Sequence, residues 1–346
     1  MRKKVCYIAL LLPLWLACRR EAEEVIPAAI LSVPAGFPAL PATPDNPLSP
    51  DGIALGRQLF YDTRLSGNNQ LSCATCHRPE LAFSDGEALS RAGVSGKRLS
   101  RHAPTLMNLA WAVNGLFWDG GATNLESQAF GPLTHPDEMG QDLETLVQEL
   151  KAVPAYVSLF NKVFQRDIRA TDVVKALAQF QRTLISGNSR YDQYLRGTAT
   201  LNVQEQQGLQ LVARHCNRCH AGALFTDQQY HNNGLDRDFT NTAEEGLFQG
   251  RYRVTYAAAD LGKYRTPTLR NLVYTAPYMH DGRLPDLTAV LDHYSDGIQP
   301  GITTDAQLSG GLHLDKQEKA AILAFLHTLT DEQFITRREL GAPIPW

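Results

Sequence analysis

The chain of 346 residues has no surplus of basic charge: 33 Lys+Arg stand against 36 Asp+Glu, a formal net of −3, and the basic runs never exceed three residues. A surface that tracks phosphates needs clustered Lys and Arg in excess, so nucleic acid is excluded as a partner. Hydrophobic residues make up 43% of the chain, too many for a disordered one, and the length allows two domains with proper cores. Sustained apolar/polar alternation is nearly missing, which leaves a mainly α class. Spare cysteine is missing too. Of six, Cys6 and Cys18 lie near the start and the others form two identical pairs, Cys73/Cys76 and Cys216/Cys219, so no thiol remains for a structural disulfide.

A long apolar run occurs only at the start. Residues 1–18 read MRKKVCYIALLLPLWLAC, with Arg2, Lys3 and Lys4 ahead of an apolar stretch too short to span a membrane confidently, which predicts an export signal. The Leu16-Ala17-Cys18 ending resembles a bacterial lipobox, in which the Cys is diacylated and becomes the mature N-terminus. The expectation is a lipoprotein anchored at Cys18 on the periplasmic side; plain secretion with cleavage near Cys18 is the alternative. Removal of residues 1–17 takes three cations and no acid, leaving 30 basic against 36 acidic residues, a net of −6. Such a charge suits a basic soluble partner. Residues 19–49 carry Pro27, Pro34, Pro38, Pro41, Pro44 and Pro47 without a helical period, the composition of a tether.

Four later stretches carry a helical apolar period. Leu143, Leu146, Val147 and Leu150 form one stripe, Val173, Leu177, Phe180 and Leu184 a second, and Ile322, Phe325, Leu326 and Leu329 a third. The fourth begins at Asn202 with Glu205 three residues on, a capping-box start that leads into Cys216; Ser49-Pro50 is likewise suited to open a helix. Both Cys pairs follow one plan of amphipathic helix, pair, long irregular stretch and closing helix. This duplication predicts two domains, 50–200 and 201–346, joined through the linker-like Leu195–Thr200.

Each pair stands in the same pentapeptide, Cys73-Ala74-Thr75-Cys76-His77 and Cys216-Asn217-Arg218-Cys219-His220. Thiols three residues apart reach the two vinyl groups of one haem as thioethers, and the adjacent imidazole then faces the iron. A redox CxxC pair and a zinc site are the alternatives, although tetrahedral zinc does not call for His directly after the second Cys in both pairs. The spacing therefore points to two covalently bound c-type haems with His77 and His220 as proximal ligands. Function turns on the opposite face of each iron: two strong sixth ligands permit electron transfer only, whereas an open iron binds peroxide.

Between the pairs lie Phe117-Trp118-Asp119-Gly120, Gln128, Gly131-Pro132 and Pro136-Asp137-Glu138-Met139; later come Tyr264–Asn271 and Ala276–Gly282. In these motifs and their order, from about residue 50 to 335, the chain resembles the bacterial dihaem cytochrome c peroxidases. The resemblance implies two cytochrome c-like domains in tandem with long loops. It makes Trp118 an electron relay between the haems and sets Gln128 and Glu138 on the distal face of the N-terminal haem. Splitting a peroxide O–O bond needs a group that moves a proton from the inner to the outer oxygen, a task a carboxylate can perform. A helix-start acid is the plain alternative for Glu138, and a core aromatic for Trp118.

Two departures from that pattern stand out. The family's distal His on the N-terminal haem falls, by alignment back from Ala103-Pro104-Thr105, on Val94, which cannot bind iron; that haem should be five-coordinate or water-ligated. The usual Met on the C-terminal haem falls on Tyr294, a pattern similar to the dihaem enzyme of methylamine utilisation, which oxidises a partner protein. Tyr294 is thus the expected sixth ligand, with Met279, His293, His231 or none as alternatives. The family's calcium ion would take the carbonyls of Thr275 and Pro277, but its Asn position holds His102, and imidazole is a poor ligand for Ca²⁺. Lys263, Arg265 and Arg270 are candidates to pair with haem propionates; His215, His313 and His327 read as ordinary histidines. The resemblance implies a peroxidase that takes electrons from a soluble cytochrome c or another small donor and reduces H₂O₂, commonly as a homodimer. An oxidase acting on a protein or organic substrate, and a non-enzymatic electron carrier, are the alternatives.

Overall fold

In the computed structural model of the chain, residues 30–241 and 244–344 are described. The expected export signal with Cys6 and Cys18, and the first part of the Pro-rich stretch, lie outside them. The helices in chain order are α1 (Pro50–Phe60), α2 (Cys73–Cys76), α3 (Leu125–Thr134), α4 (Leu143–Lys151), α5 (Pro154–Phe164), α6 (Ala170–Gln181) and α7 (Arg190–Leu195), followed by α8 (Val203–His215), α9 (Glu245–Phe248), α10 (Tyr252–Thr255), α11 (Leu287–Asp292), α12 (Lys316–Thr328) and α13 (Glu332–Thr336). Strands among the described residues are two residues long: β1 (Tyr230–His231) pairs antiparallel with β2 (Tyr264–Arg265). The class is mainly α.

Local chemistry sets the helix starts. Ser49 accepts a hydrogen bond from the Gly52 amide at 3.0 Å with Pro50 at the first helical position. Asn202 and Glu205 exchange both capping-box bonds, at 2.9 and 2.8 Å. Each orphan amide satisfied in this way stabilises its helix by about 1 kcal/mol.

Two helix pairs hold the cores. The faces of α1 and α6 bury Leu55, Leu59, Val173, Leu177 and Phe180; those of α8 and α12 bury Val212, Ile322, Phe325 and Leu326. The crossings repeat each other. A Cβ placed on Gly56 would meet Phe180 Cβ at 2.9 Å and lie closer still to the Ala176 carbonyl; one placed on Gly208 would meet Phe325 Cβ at 2.7 Å and lie closer still to the Ala321 carbonyl. Backbones approach this closely only where one helix lacks a side chain. Glycine at the crossing and the CxxCH sequence that follows it therefore recur as one unit.

The Pro-rich stretch, over its described part, is held rather than free. Leu31, Phe37 and Leu40 pack against Trp111, Ile185 and Leu224, and the Trp111 indole donates to Pro38 O at 2.9 Å. Buried Asn46 donates to Lys175 O at 3.0 Å and accepts from Gln179 at 2.9 Å. Spaced apolar residues among prolines find partners that composition does not reveal. At the far end of the chain, Phe334 and Leu340 join the core of α1 and α6, and Asp331 accepts from Ser186 Oγ and the Gly187 and Asn188 amides at 3.0–3.1 Å.

Candidate functional site

A cavity of about 570 Å³ lies beside α2, within the size range of cofactor pockets. Cys73, Cys76 and His77 form one part of its wall; Leu106, Leu116, Phe117, Leu133 and Leu177 give it an apolar lining. Burial pushes the Cys73 thiol up to about 12 and the Cys76 thiol up to about 11. Catalytic CxxC pairs need the reverse, a depressed thiol pKa, so a redox role fits poorly. His77 Nδ1 donates to Phe83 O at 2.8 Å, which leaves the lone pair on Nε2, and burial holds the ring neutral. A neutral imidazole oriented by a backbone carbonyl is what a metal requires of a histidine ligand.

The second pentapeptide reproduces this arrangement. His220 Nδ1 donates to Phe225 O at 3.2 Å, burial again keeps the ring neutral, and the Cys216 thiol is pushed up to about 12. Both acceptor residues, Phe83 and Phe225, have left-handed backbones with φ of 63° and 51°, a strained state for a bulky side chain. That turn swings each carbonyl back beneath its histidine. A zinc site made from the Cys pairs is not assembled among the described residues, since the group placed to hold an ion is Cys219, Asp227 and His231, with ligand atoms within 4.8 Å of one another.

The cavity wall also holds Trp118, Gln128 and Glu138. Trp118 comes from a loop in which Phe117 has φ of 62°; its indole donates to His102 O at 2.9 Å and its own carbonyl accepts from the Arg265 amide at 2.8 Å. Two residues past Arg265 is Pro267, whose carbonyl faces the His220 ring. Trp118 thus touches the first cavity while its backbone is tied to the segment that reaches His220. Gln128 is a buried residue of α3. Glu138 sits in the turn before α4, and burial raises its carboxyl above the usual range. Val94 donates its amide to Glu138 O at 2.8 Å, so the residue where the resemblance expects a distal His is an apolar one pinned beside Glu138. Gly93 is required there: a Cβ would come within 3.0 Å of Glu138 Cα and closer to the Asp137 carbonyl.

Around the second pentapeptide, three candidate sixth ligands converge on Asn233. Its Nδ2 donates to Tyr294 Oη and to Met279 Sδ, each at 3.3 Å, and its carbonyl accepts from His293 Nε2 at 3.1 Å. Tyr294 lies in a π-helical turn over His293–Gly297, and burial, with Cys219 and Cys216 nearby, pushes its phenol up to about 12. Met279 has φ of 75°. His231 is different: Asp305 and Asp227 engage its two ring nitrogens at 2.9 and 3.0 Å, which leaves no lone pair for iron. Its pKa is pushed up to about 10, by Cys219 first and then, against burial, by the two carboxylates.

The proposed propionate partners separate. Arg265 lines the cavity, joined by Arg98, Arg101 and Arg253, which no motif singles out. Lys263 lies 3.7 Å from Asp260. Arg270 is buried at 1% exposure and held bidentate by Asp192 at 2.8 Å, so it is neither a free propionate partner nor a surface residue. At the calcium position His102 Nδ1 donates to Glu87 O at 2.6 Å, and Thr275 precedes a cis Ala276–Pro277 peptide. His135 and Gln181 also line the cavity. The signal that could have found His135 is its position three residues before Glu138, on the same turn of chain.

The family model described as "Di-haem cytochrome c peroxidase" matches residues 50–200. The methylamine utilization protein MauG of Methylorubrum extorquens is 39% identical over 85% of this chain and 82% of its own. The chain belongs to the di-haem cytochrome c peroxidase family. Another relative, the cytochrome-c peroxidase IdrP1 of a Pseudomonas species, is 36% identical over 86% of this chain and 85% of its own. Among solved structures, a MauG-like protein associated with microbial copper homeostasis is 34% identical and superposes with a TM-score of 0.82, covering 90% of this chain and 98% of that one. Membership of a di-haem family implies two haems. The apolar cavity, paired neutral thiols and pre-oriented imidazole fit one of them, and the repeated pentapeptide supplies the same donors for the other.

Proposed function

We propose that the protein reduces H₂O₂ to water at a haem held by residues 50–200, with electrons entering through a second haem held by residues 201–346. The observation that carries this reading is the shared wall of one cavity, where His77, Gln128, Glu138 and Trp118 meet beside a loop that offers Val94 in place of a histidine. Cys73 and Cys76 would attach the first haem by thioethers, Cys216 and Cys219 the second, with His77 and His220 as proximal ligands. The haem at His77 supplies the iron centre at which the peroxide O–O bond is reduced.

The remaining work belongs to the chain. Glu138, its carboxyl raised by burial, takes the proton of the inner peroxide oxygen and returns it to the outer one, which leaves as water. Gln128 supplies an amide to orient the peroxide. The apolar lining excludes competing water, and Trp118 connects the cavity to the segment that meets His220. The balance is H₂O₂ + 2 H⁺ + 2 e⁻ → 2 H₂O, with a reduced cytochrome c or another small, basic electron-donor protein as source. Stopped-flow turnover of H₂O₂ with reduced cytochrome c tests the reading; turnover no faster than that of Glu138→Ala would sink it.

A second reading, oxidation of a protein or organic substrate in the manner of MauG, is favoured by Tyr294, whose hydroxyl shares Asn233 with Met279. A phenolate ligand lowers an iron's potential and favours high oxidation states. Peroxide-treated protein that decays slowly without a donor, yet oxidises an added aromatic amine or protein, would select it. We further propose export to the periplasm with a lipid anchor at Cys18. Detergent partitioning that survives Cys18→Ser would refute the anchor.

A further inference from the structure

We infer that His135 delivers protons from solvent to Glu138, as a positioning residue for the cavity acid. This rests on the peroxidase reading above and extends it, because each turnover consumes two protons that must cross from water into an apolar cavity. His135 ends α3 as its C-cap residue, and its ring lines the same cavity wall as Glu138. Its Nδ1 lies 4.0 Å from Glu138 Oε1, a gap that one water or a small ring rotation closes. The His135 side chain is 50% exposed against 37% for Glu138, so His135 stands further into solvent than the acid it faces. The spacing is held by backbone: the Glu138 and Gly140 amides both donate to His135 O, at 3.0 and 2.9 Å, and the Asp137 amide donates to Nδ1 at 3.2 Å.

The charged groups about the ring are Glu138 and Asp137, and Asp137 lies 3.4 Å from Lys97 on the facing loop. Lys97 therefore draws the Asp137 carboxylate into its own ion pair, and Glu138 remains as the imidazole's acid–base partner. Of the pair, His135 is the more exposed, and an imidazole ring carries nitrogens that can both accept and donate a proton. In each cycle the imidazolium, its ring turned so that Nδ1–H leaves the Asp137 amide, gives a proton to the Glu138 carboxylate directly or through a bridging water, and the neutral ring, accepting from that amide again, is reprotonated from bulk. The electrons come from the reduced cytochrome donor, and the ring undergoes no redox change.

The test is buffer rescue in the haem-loaded protein. His135→Asn keeps a polar side chain at an exposed position, and an unchanged haem absorption spectrum confirms an intact cavity. Turnover of H₂O₂ by reduced cytochrome c is measured against phosphate concentration at fixed ionic strength. His135→Asn is expected to lose about tenfold in kcat/KM at low phosphate and to recover as phosphate rises, while the wild type stays flat; general acid–base groups contribute roughly 100-fold or more when removed outright. Glu138→Gln is expected to stay slow at every phosphate concentration. His135→Asn that matches the wild type, or that slows without responding to phosphate, overturns the proton-delivery role. Full activity in Glu138→Gln overturns instead the peroxidase reading on which it rests.

Discussion

Replacing Gly208 by Ala sets two effects of opposite sign against each other, and the structure decides between them. Within a helix, Ala is intrinsically favoured over Gly by about 1 kcal/mol. At this crossing, however, the new Cβ would stand 2.7 Å from Phe325 Cβ, against the 3.4 Å at which ordinary contact begins, and nearer still to the Ala321 carbonyl. That carbonyl is backbone and cannot swing aside, so α8 and α12 must part by at least about 0.7 Å, the difference between those two distances. Overpacking of this kind costs roughly 1–3 kcal/mol, which outweighs the propensity gain in most of that range. The expected net is a loss of up to about 2 kcal/mol, or a Tm lower by up to roughly 8 °C. Gly56→Ala should behave alike against Phe180 and Ala176, while Gly310→Ala, with nothing within 4 Å, should lower nothing. The displacement also has a functional readout, because α8 runs directly into Cys216 and His220 and its movement should perturb the optical spectrum of the second haem alone. Scanning calorimetry of the three variants is the assay. A Tm at or above that of the wild type for both Gly56→Ala and Gly208→Ala would refute the packing argument.

Other outcomes are expected from the interior and from the cavity wall. Arg270→Ala strands Asp192 in the interior and should cost about 3–5 kcal/mol in urea denaturation, with much of it recovered in the double variant Arg270→Met, Asp192→Leu. Burial alone would raise the Asp192 carboxyl, but bonds from Arg270 and Ser189 hold it below the usual aspartate range, so its stabilisation is present above that range and is lost as acid protonates the folded state; Tm against pH reads this. Glu138 has the opposite sign. Its folded-state pKa is raised above the usual glutamate range, so it costs stability as pH climbs through that window, and Glu138→Gln should melt higher than the wild type at about pH 7 and equal to it near about pH 4. Tyr294→Phe should change the low-temperature electron paramagnetic resonance signal of the second haem, whereas Met279→Leu should leave it unaltered; the reverse result would move the sixth ligand to Met279.

Much of the fold is legible in the sequence because its signals are local. The stripe Leu143–Leu150 forms α4, Val173–Phe180 forms α6, Ile322–Leu326 forms α12, and Asn202 with Glu205 opens α8, each by side chains within a few residues of one another. Leu184 and Leu329 carry the apolar period past the last helical residues and are buried, Leu329 as the C-cap of α12 and Leu184 two residues beyond the C-cap of α6. Helix α3 gives no such signal, since Pro132 interrupts its pattern and its caps, Asn124 and Ser127, carry no apolar period with them.

By itself the sequence determined the chemistry that depends on adjacency. Two thiols three residues apart with histidine next in line predict a haem-binding turn wherever that turn lies, and the missing alternation specifies helices. Only the tertiary structure decided which distant groups meet. It buried Arg270 on Asp192, 78 residues away, gave the cavity Arg98, Arg101 and Arg253, and engaged both nitrogens of His231 with carboxylates. It also packed Leu31, Phe37 and Leu40 against the body and brought Tyr294, Met279 and His293 to a single asparagine. The physical reason is one of range: capping, periodicity and CxxCH spacing act within a turn or two of backbone, whereas the occupancy of a buried donor or acceptor depends on every segment that folds against it.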